Sequence, residues 1–107
     1  MSRDYKVFIQ DILSAIKKID SYSKNIGYTK FREDEQLIDA IVRNLEIIGE
    51  AAKNIPSSVR NKYGSIEWKK IAGLRDILIH EYFGVDIDIL WDIIKNKLPE
   101  LKKQLNK

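Results

Sequence analysis

"YKVFIQDILSAIKKIDSY", residues 5–22, sets the fold class. Tyr5, Ile9, Ile12, Ile16 and Ile19 recur at alternating steps of four and three, the signature of one buried helical face. Phe8, Ala15 and Tyr22 widen that stripe, which predicts that this helix contacts more than one neighbour. The pattern fades at "SKNIGYTK", where Asn25 and Gly27 supply stop and turn chemistry.

The same period returns downstream. Ile38, Ile41, Leu45, Ile48, Ala52 and Ile55 form a second stripe, ended by "NIPSS" because Pro56 cannot donate to a continuing helix. "SSVRNKYGS" reads as a short turn or one-turn helix closed by Gly64. A third helix is expected from Ser65, as N-cap, through Trp68, Ile71, Leu74 and Leu78. Gly84 stands where a helix-ending glycine would. Asp86 then caps a fourth helix through Ile87, Leu90, Ile94, Leu98, Leu101 and Leu105, which Pro99 should kink or restart. No alternating strand pattern, repeat or low-complexity linker interrupts this order. The expected fold is all-α: an antiparallel four-helix bundle over residues 1–107, a single domain with a short extra helical turn near residues 57–63.

Gly49 and Gly73 fall inside predicted helices, where each costs about 1 kcal/mol relative to alanine. Small neighbours (Ala51, Ala52 and Ala72) point to a close crossing of the second and third helices. That crossing would hold the start of "RDILIHEY", residues 75–82, against the rest of the fold.

Composition narrows the function classes. The 107-residue chain has no cysteine, so disulfides and thiolate metal sites are excluded. Nineteen basic and 16 acidic side chains give a net charge of +3, a well-mixed surface that neither requires nor repels a nucleic acid. The aliphatic run Ile77-Leu78-Ile79 is far too short to span a bilayer, and Asp4 and Lys6 interrupt any signal-peptide pattern. A cytoplasmic protein without membrane association is expected.

"RDILIHEY" contains the only histidine. On a regular helix Asp76 and His80, four apart, share a face, so the carboxylate would fix the imidazole tautomer and favour its protonated form. Arg75 and His80, five apart, stand about 140° apart around such a helix and do not converge. Either the helix loosens near His80 or a second copy of the chain completes the site. Spacing alone favours an ordinary histidine near a helix end, with Asp76 and His80 as a surface pair worth under about 1 kcal/mol.

"WKKIAGLRDILIHEYFGVD", residues 68–86, resembles the signature of HEPN ribonuclease toxins, and more narrowly the HepT branch paired with a minimal nucleotidyltransferase antitoxin. Arg75, His80 and Tyr82 match that branch's Arg-x4-His-x-Tyr without a gap, and Asp76 fills its polar position. "IIGEAAKNIP" and "VDIDILWDIIKNKLPELK" are similar to the same branch, so the resemblance spans most of the chain. It implies a homodimer with both motifs facing one composite cleft, and metal-independent cleavage of RNA with no cofactor. His80 would be the general base or acid and Arg75 the phosphate-holding cation, supported by Asp76. Tyr82, a poor base at neutral pH, would be the hydroxyl to which the antitoxin transfers AMP. Two other functions compete: a non-catalytic nucleotidyltransferase partner or substrate-binding module, and a plain helical dimerisation domain.

Overall fold

The computed structural model describes residues 4–74, 76, 79–80 and 84–106, with the backbone alone at 79, 80 and 85. Helix α1 (Tyr5–Ser23) starts where the Asp4 carboxylate accepts the Lys6 amide at 2.9 Å. It buries Ile9, Ile12, Ala15, Ile16 and Ile19, the face the periodicity marks. Tyr22 departs from the expectation: it is 45% exposed, so it does not widen the buried stripe. The turn "SKNIGYTK" contains a helix that the sequence reading missed, α2 (Tyr28–Glu33). Asp34 then caps α3 (Glu35–Lys53) by accepting the Leu37 amide at 3.0 Å.

α3 buries Ile38, Ile41, Leu45, Ile48, Ala51 and Ala52 and lies along α1. Its carbonyl end is covered from outside the helix. Arg60 on α4 (Ser57–Lys62) donates from Nε to Ile55 O at 3.0 Å and from Nη2 to Ala52 O at 2.9 Å. A cation at a helix C-terminus also meets the negative end of the dipole. The extra helical turn expected near residues 57–63 is therefore present, and it secures the end of α3.

The expected third helix is where the structure differs most. α5 spans only Trp68–Ala72, with Glu67 rather than Ser65 at its N-cap and no side-chain capping bond. Gly73 is its C-cap, not an interior residue. Leu74 and Asp76 are again helical, but Ile79–His80 is a strand, β1. It pairs antiparallel with β2 (Gly84–Val85), Ile79 opposite Val85 and His80 opposite Gly84. Gly84 has φ +77°, a value L side chains rarely adopt, and it stands at the start of β2 rather than at a helix end. Apart from this short ladder the described elements are all helical.

The close crossing is real, but one glycine makes it. A Cβ on Gly49 would stand 3.1 Å from the backbone oxygen of Ala72 on α5, whereas one on Gly73 would meet only Lys69 and Lys70 of its own segment. Gly49→Val should therefore lower stability by about 1–3 kcal/mol, since a backbone oxygen cannot rotate away as a side chain can. A thermal unfolding midpoint equal to wild type would show that α5 yields freely.

The chain closes with α6 (Ile87–Asp92), a π-helical segment (Ile93–Lys97) and α7 (Leu98–Leu105). Asp86 caps α6 as expected, its carboxylate accepting the Ile89 amide at 3.1 Å. Pro99 has no N–H for the Lys95 carbonyl, and the widened π turn lies directly before it. α7 and the π segment pack on α1, so Leu90, Ile94, Leu98 and Leu101 join the core of α1 and α3.

Candidate active site

The expected site falls on the connection between α5 and α6. Arg75 and Tyr82 lie outside the described residues, as does the His80 side chain. Asp76 is helical and exposed. The His80 backbone is in β1, so the four-residue helical geometry that would join Asp76 to His80 does not apply. The same fact settles one alternative left open by spacing: the helix gives way before His80. The 140° separation of Arg75 and His80 assumed a regular helix through both. It is therefore no longer a reason to require a second copy.

Both ends of this connection are held firmly. Upstream, Trp68 and Leu74 are buried, and α5 is pressed on α3 at Gly49. Trp68 packs edge-on to Tyr63, with centroids 6.4 Å apart. Among the described residues its buried Nε1 has no hydrogen-bond partner. Glu67 and Lys70 pair at 2.7 Å across the first turn of α5; the bond lowers the Glu67 pKa and raises that of Lys70. Both side chains are largely exposed, so the pair contributes little. A cavity of about 250 Å³ separates α5 from α6 and α7 and reaches Leu74, next to Arg75 in sequence.

Downstream, the Tyr28 hydroxyl donates to the Asp88 carboxylate in the first turn of α6. This bond raises the Tyr28 pKa, because the phenol must keep its proton to donate beside a negative charge. Trp91 extends the contact, edge-on to Tyr28 at 5.6 Å and tilted against buried Phe31 at 4.9 Å. Sequence reasoning missed this clasp. The signals were present: Tyr28 and Phe31 are three apart, and Asp34 is a capping residue just before the second stripe.

The fold is thus almost wholly helical, and the arginine, histidine and tyrosine of the sequence motif fall between α5 and α6. A solved tri-AMPylated HEPN toxin of Shewanella oneidensis, in complex with MNT antitoxin, superposes with a TM-score of 0.69 at 22% identity. The match covers 99% of this chain and 96% of that one and shows the shared fold.

The family model described as ribonuclease HepT-like matches residues 12–107, and the chain belongs to that family of ribonucleases. A protein inferred to be ribonuclease HepT in Thermococcus cleftensis is 41% identical over 107 residues, covering 100% of this chain and 97% of that one. A protein of Methanocaldococcus jannaschii inferred to be an RNase is 46% identical over 105 residues, covering 98% and 87%. A larger protein of the same organism, named for gamma-glutamylcyclotransferase and an inferred RNase, is 43% identical over 107 residues. This chain spans 48% of its length.

Proposed function

We propose that this protein is a metal-independent endoribonuclease toxin whose cleavage chemistry resides in Arg75 and His80. The observation that carries the reading is the uninterrupted Arg75-x4-His80-x-Tyr82 run in a chain that matches the HepT-like family over residues 12–107. His80 moves the proton. It acts either as base, taking the proton of the ribose 2′-hydroxyl while that oxygen attacks phosphorus, or as acid, giving one to the departing 5′-oxygen. Arg75 holds the phosphate through its planar fork of donors and offsets the charge that grows on it. Asp76, exposed one position after Arg75, is the supporting polar residue of the motif.

The regulator is a minimal nucleotidyltransferase antitoxin acting on Tyr82, and the working form is a cytoplasmic homodimer. The dimer rests on the family resemblance, in which two motifs face one cleft. Among the described residues no helix is long and apolar enough to cross a membrane. Expression without the partner tests the toxin reading: wild type should stop growth and degrade RNA, and His80→Ala should do neither. Equal, harmless expression of both would favour a non-catalytic partner of the nucleotidyltransferase. Sedimentation at micromolar concentration should give a dimer. A clean monomer that still cuts RNA would remove the composite cleft.

A further inference from the structure

We infer that the outer face of α6, the π segment and α7, together with Lys17 of α1, is a secondary binding track for single-stranded RNA. This rests on the ribonuclease reading and extends it away from the motif. α6 begins directly after β2, so the face starts beside the motif-bearing connection. Trp91 is its first planar group, half-buried, with Lys95 Nζ 4.6 Å from its ring centroid. Pro99, Lys102 and Lys103 follow at helical steps, and Trp91 to Lys102 covers about 16 Å of axis at 1.5 Å per residue.

At its far end the track opens into a groove of about 550 Å³ between α1 and α7. Ile16, Ile94 and Leu98 form an apolar floor, and Lys17, Lys102 and Lys103 are exposed on the rim. Asp20 is the one acid lining the groove. Among the described residues no ion pair engages these three lysines. Near Trp91, Asp88 accepts from Tyr28 and Asp92 from the Asn96 amide at 2.7 Å; both keep their charge, so the phosphates are drawn to Lys95 and to the lysines of the groove. A ring, then spaced cations, then a cationic groove with an apolar floor suits a flexible polyanion that carries flat apolar groups. Single-stranded RNA has that chemistry: bases stack without regard to sequence and phosphates meet lysines. An acidic protein helix would use the groove but not the exposed Lys95 cation beyond it.

The test uses the full chain with Lys17, Lys102 and Lys103 all changed to Glu, and the triple Arg variant as rescue. Substrates are an unstructured RNA of about 12 nucleotides, long enough for track and motif together, and a tetranucleotide confined to the motif. For the longer RNA we expect KM to rise about tenfold or more, with kcat and all tetranucleotide kinetics within about twofold. The arginine variant should behave as wild type.

Anisotropy with the labelled longer RNA, in a His80→Ala background, reads binding apart from cleavage. The slope of log affinity against log salt should fall by about 2 when three lysines are removed, at about 0.7 per phosphate contact. If no variant cuts either RNA but that slope falls, the track stands and the ribonuclease reading fails. An unchanged slope and KM would overturn the track, as would equal loss on both substrates. So would RNA binding that persists while the charge-reversed protein loses its dimer, which would make the groove a protein contact.

Discussion

His80→Ala should reduce RNA cleavage by about a thousandfold or more, with Arg75→Ala comparably inactive and both proteins folded. Losing a positioned general acid–base group costs about 10²–10⁴ in rate. Losing a donor aimed at developing charge costs about 10²–10³. The fold should survive because His80 enters the β1–β2 ladder through its backbone, which alanine retains. The buried residues that fix the connection, Trp68, Leu74 and Leu90, are untouched. Arg75→Lys separates two versions of the arginine role. If the phosphate is held by two parallel N–H bonds, lysine should be nearly as inactive as alanine; if a point charge suffices, it should be fully active. Circular dichroism and single-turnover cleavage on the same samples decide the matter. Undiminished cleavage by His80→Ala would move the chain to the binding-module reading.

The helices were legible wherever burial repeats along one stretch of chain. Ile9, Ile12, Ile16 and Ile19 announce α1, and Ile38, Ile41, Leu45 and Ile48 announce α3, because core-facing positions in a helix recur every three or four residues. Asp86 was readable as a cap, since its short carboxylate reaches an unpaired amide of the first turn. What was not legible depends on distant partners. Phe31 is wholly buried because Trp91, sixty positions away, packs against it, and nothing within "YTKFRE" reports that contact. The stripe Trp68, Ile71, Leu74 and Leu78 predicts a continuous helix, yet Ile79 and His80 take a ladder whose partner strand lies beyond them. Gly84 was ambiguous for a physical reason: positive φ is used at helix ends and at strand ends alike, and its +77° here opens β2. The candidate site was legible as residue types in a register. The roles of Arg75, His80 and Tyr82 come from family resemblance and from chemistry, not from spacing.

Tyr82→Phe should cut RNA as wild type does and resist neutralisation by the nucleotidyltransferase with ATP. Phenylalanine keeps the ring and removes only the oxygen that would attack the α-phosphorus of ATP. In that transfer a tyrosine O–P bond forms, the bond to pyrophosphate breaks, and the phenolic proton is released. The product places a phosphodiester negative charge and the bulk of a nucleoside seven residues from Arg75 in the chain. It would occupy the phosphate-holding cation and repel RNA. Wild type co-expressed with the partner should therefore carry AMP on the peptide containing "LIHEYFGVD" and lose cleavage, while Tyr82→Phe carries none there and stays active. Tyr28 is the natural internal control. Its hydroxyl already donates to Asp88, which ties it to the first turn of α6. Mass spectrometry that finds AMP on Tyr28 or Tyr63 and none on Tyr82 would end the proposal. A sharp fall in the thermal midpoint of Tyr82→Phe would end it differently: the hydroxyl would then be a buried hydrogen-bond partner, whose loss costs about 1–3 kcal/mol.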